Sequence, residues 1–284
     1  MEKIKDMKND PKIFMYELRK RKNDFMFWFI ATLIVLTIFI FLCAKEVSAL
    51  QTLSSIVKTF SFLVILVKVV NYQSCSGISK NSLICFFIAL LCRIFVFTFF
   101  PIRLRDYSVS ELNTIFDKIA EYITFFIISF LLYAIHFKYQ ETSDINSDNK
   151  MPFYYLCIPA FIVAIPFKPW VFRNWFIDLI WIYSIFLESV SIYPQITLFS
   201  AKKWYIEKFT SHFLILQGIS SIFGLFYWIK SYFLFNDRIS LLLGEYSGYL
   251  ITIAEIVKLI IVANYLYLYL KSLFNTKNHK KYDI

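Results

Sequence analysis

Long apolar segments separated by short polar connections dominate this chain. A helix needs about 20 apolar residues to cross the hydrocarbon core of a bilayer, and all but one of the segments reach that length. The shorter one, residues 152–167, contains three prolines. The pattern predicts an all-α, polytopic membrane protein with about eight transmembrane helices. The segments cover residues 25–44, 50–70, 82–101, 115–137, 152–167, 175–199, 211–235 and 247–270.

The composition agrees with a membrane protein and argues against most other classes. Hydrophobic residues make up 58% of the 284 residues and charged residues 18%, against about 45–50% and about 25% in soluble domains. The net charge of +10 is interpreted as loop charge rather than as a nucleic-acid surface, because Lys and Arg mark the cytosolic connections of membrane proteins. The sequence has no nucleophile triad, phosphate-binding loop or metal cluster, and its five cysteines have no metal or disulfide spacing. We therefore expect neither an enzyme nor a cofactor.

The distribution of basic residues predicts how the segments are oriented. With residues 1–24 in the cytosol, the cytosolic connections hold 18 Lys and Arg residues, the opposite side six and the segments six. This bias favours eight crossings with both termini in the cytosol. A cleaved signal peptide is the alternative for the first segment, since "VSA" at 47–49 resembles a cleavage site. The apolar core of a signal peptide has roughly 7–15 residues, so the longer segment 25–44 favours a retained anchor.

Charged residues inside the apolar segments predict buried ion pairs. Arg93 and Glu188 each lie within an apolar segment, where an unpaired charge is strongly unfavourable. We predict that these two residues pair across two helices. Two further pairs have the i,i+3 spacing at which opposite charges on one helix neutralise each other, namely Lys118 with Glu121 and Glu255 with Lys258.

The dipeptide Pro194-Gln195 interrupts the segment that contains Glu188. Proline removes a backbone hydrogen bond, so the sequence predicts a kink near the cytosolic side. We expect the Gln195 amide to bind the backbone group that the proline leaves free. The kink would either let helix bundles rock or be a passive bend.

Three stretches resemble the KDEL-receptor family, the ER lumen protein-retaining receptors. They are "SCSGISKNS" at 74–82, "FLESVSIYPQ" at 186–195 and "ANYLYLYLKSLF" at 263–274. The resemblance covers roughly residues 50–274 and is looser to the PQ-loop and SWEET transporters, which share the fold. It implies a seven-helix core of two three-helix bundles joined by a linker helix. Residues 25–44 are then an extra leading helix, as in the divergent KDEL-receptor-related branch.

The resemblance also implies a ligand and a set of candidate binding residues. Family members bind a C-terminal Lys/His-Asp-Glu-Leu tetrapeptide, whose carboxylates are held by arginines, in a cavity open to the lumen. The candidates here are Arg93, Asp178, Trp181, Glu188, Trp228, Lys58 and Lys230. Lys58 replaces the family's proton-sensing histidine; lysine, unlike histidine, stays charged between ER and Golgi pH.

Several family arginines are absent, which predicts a degenerate ligand clamp. Gln51, Ser221 and Ser231 stand where the family has arginines, and Lys230 beside Ser231 is a candidate substitute. The leading interpretation is still a receptor that binds the C-terminal retention signals of lumenal proteins in the Golgi and returns them to the ER. The alternatives are a small-solute transporter of PQ-loop type and an orphan trafficking protein that no longer binds signals.

The basic tail indicates a cytosolic contact. Lys277, Lys280 and Lys281 resemble the lysines with which the family engages the COPI coat, although such lysines also bind anionic lipid. We therefore expect a multi-pass protein of ER and Golgi membranes. Its parts are a basic N-terminus with the extra helix at 1–45, a receptor-like domain at 46–274 and a cytosolic tail at 275–284.

Overall fold

In a computed structural model, the structure describes residues 48–100, 111–144, 148–169, 171–172, 174–201, 208–231 and 246–279. The predicted first helix at 25–44 lies outside these residues, as do Lys280, Lys281 and the side chain of Lys277. The described residues form helices and no strand. The α-helices are α1 Ser48–Tyr72, α2 Lys80–Phe99, α3 Glu111–Tyr133, α4 Tyr154–Ala164, α5 Trp175–Val190, α6 Tyr193–Ala201, α7 Lys208–Ser231 and α8 Ser247–His279. A π-helical turn, Ala134–Lys138, continues α3.

These helices account for the seven predicted segments between residues 50 and 270. Six helical segments in the described part of the chain are long and apolar enough to cross a membrane, with α5 and α6 together forming one of them. The prediction of an all-α polytopic membrane protein is therefore confirmed. Residues 152–167 contribute only the 11-residue helix α4, which spans about 16 Å at 1.5 Å per residue. Pro159 lies inside α4, and Pro166 follows its last turn.

The main helix contacts divide the bundle into two three-helix units. In the first unit α1 and α2 pack on α3, and in the second α5 and α7 pack on α8. Two interfaces join the units, α1 with α7 and α2 with α5. The same contacts occur in both units. If α1 is exchanged with α5, α2 with α7 and α3 with α8, each of these helix contacts becomes another contact of the same set. The contact pattern is thus symmetric under this exchange, the described helices form the two three-helix bundles that the resemblance implies, and α4 packs on α5 as the linker.

The α1–α2 and α3–α4 connections and the start of α6 lie together at one end of the bundle, which we call the α1–α2 end. The other end, where α2 leads towards α3, is called the α2–α3 end.

The segment with Pro194-Gln195 contains a helix break. Helix α5 ends at Val190, a turn follows, and α6 begins at Tyr193, so Pro194 lies in the first turn of a new helix. Proline is tolerated there because its missing N–H would have no helical partner. The expectation for Gln195 was wrong. Its Oε1 accepts a hydrogen bond from the Ser79 N–H at 2.8 Å, and its Nε2 donates to the Gly77 carbonyl at 2.8 Å, so it holds the α1–α2 connection.

Candidate functional site

Charged side chains from five helices meet in one buried group, which we call the ion cluster. They come from α1, α2, α3, α5 and α8 and therefore from both three-helix units. Each exposes 13% or less of its side chain, so the charges are held away from water. The cluster consists of Lys58, Arg93, Lys258, Glu121, Glu188 and Glu255.

Glu188 lies at the centre of the ion cluster. Its Oε2 is 2.5 Å from Arg93 Nη2 across the α2–α5 interface, which is the ion pair predicted from the sequence. Its Oε1 is 3.3 Å from Lys58 Nζ and 3.2 Å from Lys258 Nζ. Three cations around one carboxylate explain how a glutamate is accommodated in the middle of an apolar segment.

Glu121 on α3 is the second bridging carboxylate, and the sequence did not reveal it. Its Oε1 accepts a hydrogen bond from Arg93 Nη1 at 2.8 Å and lies 3.2 Å from Lys58 Nζ. The expectation that Glu121 forms a simple neutralising pair with Lys118 was wrong, because its side chain is 1% exposed and its ion-pair partners come from α1 and α2. The sequence feature that pointed to Glu121 is a glutamate within an apolar segment. Lys118, three residues earlier, offered a simpler explanation for that charge.

Lys258 on α8 was likewise not predicted as a site residue, and neither was its neighbour Glu255. The predicted i,i+3 pair exists, with 3.9 Å between Lys258 Nζ and Glu255 Oε2. The shorter contact of Lys258 is the one to Glu188, at 3.2 Å. Lys258 therefore connects α8 to the centre of the cluster instead of only neutralising its own helix.

The ion cluster is balanced in charge, with three cations and three carboxylates. Burying ions is unfavourable unless each is paired, and removing one member of a buried pair typically costs about 3–5 kcal/mol. Asp117, one turn before Glu121 on α3, lies beside the cluster and accepts a hydrogen bond from the Ser55 hydroxyl. The site therefore has more acidic groups than basic ones once Asp117 is included.

Aromatic side chains and Asp178 lie towards the α2–α3 end, near the start of α5 and the end of α7. The rings of Trp181 and Trp228 are buried with their centroids 6.3 Å apart, and Phe172 lies 6.2 Å from Trp181. Asp178 Oδ1 accepts hydrogen bonds from the N–H groups of Val171 and Phe172, both at 2.9 Å. Asp178 thereby fixes the connection that precedes α5.

The α1–α2 end is held by a second buried polar network, this one built mainly of hydrogen bonds. Asp148 accepts a hydrogen bond from the Ser79 hydroxyl at 2.5 Å, and its other oxygen accepts from the Asn81 N–H at 3.0 Å. Burial raises the pKa of Asp148, and these hydrogen bonds oppose that shift. Gly77, at φ 74° in the turn, donates its N–H to Asp144 at 2.7 Å. The network joins the α1–α2 connection to the α3–α4 connection.

Comparisons with known proteins identify the family. The family model described as ER lumen protein retaining receptor matches residues 74–231, more than half of the chain. The chain belongs to this family. It is 28% identical to ER lumen protein-retaining receptor 3 of Mus musculus over 224 residues, which cover 76% of this chain and 90% of that protein. It is 29% identical to ER lumen protein-retaining receptor 2 of Danio rerio over 226 residues, or 76% of this chain and 91% of that protein. The receptor of Dictyostelium discoideum is 27% identical over 220 residues, or 75% of this chain and 88% of the receptor.

The structure brings together some of the candidate residues that the family resemblance suggested and separates others. Lys58, Arg93 and Glu188 meet in the ion cluster. Trp181 and Trp228 lie together, with Asp178 one helical turn before Trp181. Lys230 is exposed on the last turn of α7 and has no ion pair with the cluster among the described residues. In this family member the cluster is instead completed by Glu121, Glu255 and Lys258.

Proposed function

We propose that this protein is a receptor that binds the C-terminal retention signals of lumenal proteins in the Golgi and returns those proteins to the ER. The proposal is supported by membership of the family and by a match covering about nine tenths of the length of the retaining receptors. The single observation that carries it is the Arg93–Glu188 pair at the α2–α5 interface. A guanidinium fork at the joint between two helix units is suited to binding a carboxylate and to reporting that binding as a movement.

Binding would work by exchange of carboxylates. Both terminal nitrogens of Arg93 already contact carboxylates, Nη1 with Glu121 and Nη2 with Glu188. A ligand carboxylate that reaches Arg93 must therefore displace one of them. Displacing Glu188 would release the pair that joins α2 to α5, so that occupancy of the site alters the contact between the two units.

The orientation and the tail complete the proposal. The excess of Lys and Arg in the connections at the α1–α2 end supports a cytosolic position for that end, with both termini cytosolic. Arg93 of the ion cluster lies nearer to the other end of the bundle, six residues, or about 9 Å, from the end of α2. The site would then be reached from the lumen, while Lys277, Lys280 and Lys281 would be available to the COPI coat or to anionic lipid.

The test is ligand-driven redistribution combined with direct binding. Purified protein is titrated with synthetic C-terminal tetrapeptide ligands, and cells are examined with and without an excess of a lumenal protein that carries the same C-terminus. The proposal predicts saturable binding that needs the free terminal carboxylate, and movement from Golgi to ER when the cargo is in excess. A protein that binds no C-terminal peptide and never redistributes would contradict it, and uptake of a small solute by liposomes containing the protein would favour a transporter instead.

A further inference from the structure

The position of Glu121 bears on which signals the site accepts. We propose that Glu121 is a specificity-determining residue that fills a ligand-carboxylate position between Arg93 and Lys58, so that the site takes a C-terminal signal with uncharged side chains in place of an acidic pair. This inference rests on the proposed function, because it names the class of peptide that the same site binds.

The contacts of Glu121 are those that a bound carboxylate would make. Its Oε1 lies 2.8 Å from Arg93 Nη1 and 3.2 Å from Lys58 Nζ. The other nitrogen of the fork, Nη2, is engaged by Glu188. Guanidinium binds carboxylates through this fork, and here two carboxylates of the chain itself occupy it.

The charge balance of the cluster disfavours an acidic ligand. A signal that ends in Lys-Asp-Glu-Leu brings three carboxylates and one ammonium group, a net charge of −2. The cluster is already neutral, and Asp117 lies one turn from Glu121. Added negative charge in a poorly solvated interior is repelled by these acids. A signal that ends in Lys-Asn-Gln-Leu keeps one ammonium group and one carboxylate and adds no net charge.

An unused acceptor on Glu121 supports an amide-bearing ligand independently. Glu121 Oε2 is buried and has no hydrogen-bond partner in the part of the chain that the structure describes. A buried acceptor without a donor is unfavourable, so a ligand group that donates to it gains affinity. The side-chain amide of Asn or Gln has such a donor, whereas the carboxylate of Asp or Glu offers only further acceptors.

The experiment compares two synthetic peptides that differ only in this acidic pair. Peptides with the same upstream sequence and the endings Lys-Asp-Glu-Leu and Lys-Asn-Gln-Leu are titrated into the purified full chain by calorimetry. The wild type should bind the amide peptide more tightly by about tenfold or more, since a hydrogen bond to a charged group gained or lost corresponds to about 1.4 kcal/mol or more. In Glu121→Gln the preference should reverse, because Arg93 and Lys58 are then available to the acidic peptide. Glu141→Gln is the matched control, since Glu141 is exposed outside the helical segments that cross the membrane.

A second variant keeps the test decisive if Glu121→Gln fails to fold. Lys58→Met combined with Glu121→Gln removes one charge of each sign and leaves the cluster balanced, and it should abolish the preference for the amide peptide. A wild type that binds the acidic peptide more tightly, or variants that keep the wild-type ratio, would overturn the inference and leave the proposed receptor function standing. If neither peptide binds the wild type or either variant, the receptor function fails together with the inference.

Discussion

The two interfaces between the three-helix units occupy equivalent places in the pattern of helix contacts but are built from different chemistry. At the α1–α7 interface, Ser54 Oγ donates to the Ser220 carbonyl and Ser220 Oγ donates to the Ser54 carbonyl, both at 2.8 Å. One to two turns further along, Gln217 Nε2 donates to Ser61 Oγ at 2.7 Å. The α2–α5 interface instead contains the ion pair of Arg93 with Glu188, which also contacts Lys58, Lys258 and Glu121.

The difference between hydrogen bonds at α1–α7 and an ion pair at α2–α5 indicates that the two interfaces have different functions. Small hydroxyl side chains let helix backbones approach closely, and their hydrogen bonds are satisfied entirely within the protein. An ion pair can instead be exchanged for the charge of a ligand. We therefore regard α1–α7 as the fixed joint between the units and α2–α5 as the joint that a ligand can open.

The largest expected effect comes from breaking the ion pair at α2–α5. Arg93→Met leaves Glu121 and Glu188 with one cation too few, so it should destabilise the protein by about 3–5 kcal/mol. Adding Glu188→Gln restores the balance and should recover most of that loss. Thermal unfolding of the detergent-purified variants measures both effects, and Lys230→Met, which removes an exposed cation on α7, serves as the control. A double variant as unstable as the single one would show that charge balance does not explain the cluster.

A smaller effect is expected at the α1–α7 interface. Gln217→Leu removes the hydrogen bond to Ser61 but leaves the Ser61 hydroxyl bound to the Lys58 carbonyl, so the loss should be about 1 kcal/mol. The affinity for a C-terminal peptide should stay unchanged, because this joint is proposed to be fixed. A clear fall in peptide affinity at preserved stability would contradict the division of tasks between the interfaces.

The hydrogen-bonded network at the α1–α2 end gives a prediction about pH. Because burial raises the folded-state pKa of Asp148, its contribution to stability is fully present below its unfolded-state pKa and is lost as the pH rises through the raised value. Stability measured from about pH 4 upwards should therefore fall less steeply in Asp148→Asn than in the wild type. Identical slopes in the two proteins would contradict a raised pKa at this position.

The smallest expected effect is on the pH dependence of ligand binding. Lys58 of the ion cluster stands where the family resemblance places a proton-sensing histidine, and the ordinary pKa of a lysine, about 10.4, lies far above the pH of the Golgi and the ER. Peptide affinity should change little between about pH 5.5 and pH 7.2. A steep gain on acidification that Lys58→Met abolishes would show that Lys58 titrates in this range.

Much of the fold was predictable from the sequence because a membrane imposes a length and a composition on each helix. The Arg93–Glu188 pair was predictable for the same reason, since each charge lies far from any polar flank. Glu121 and Lys258 were not, because each has an opposite charge three residues away that offers a local explanation. Which face of a helix meets which neighbour depends on the packing of several helices, and a single sequence does not encode that in any local pattern.

The role of Gln195 was missed for a similar reason. Pro194 suggested that Gln195 binds the backbone of its own helix. The partners of Gln195 are instead Ser79 and Gly77, more than 110 residues away along the chain. Long-range contacts of this kind follow from the convergence of loops at one end of the bundle. The α1–α2 connection was recognisable in the sequence as part of the motif at 74–82, but its contact with Gln195 was not.

The most direct test of the ion cluster as the ligand site is peptide binding by the charge-balanced double variant Arg93→Met with Glu188→Gln. This variant keeps Lys58 and Lys258 against Glu121 and Glu255, so it should fold. The measurement is calorimetric titration of the folded variant and the wild type with the two peptides ending in Lys-Asp-Glu-Leu and Lys-Asn-Gln-Leu. We predict that the wild type binds and that the folded double variant binds neither peptide, while unchanged affinity in the folded double variant would show that Arg93 and Glu188 only hold the helices together.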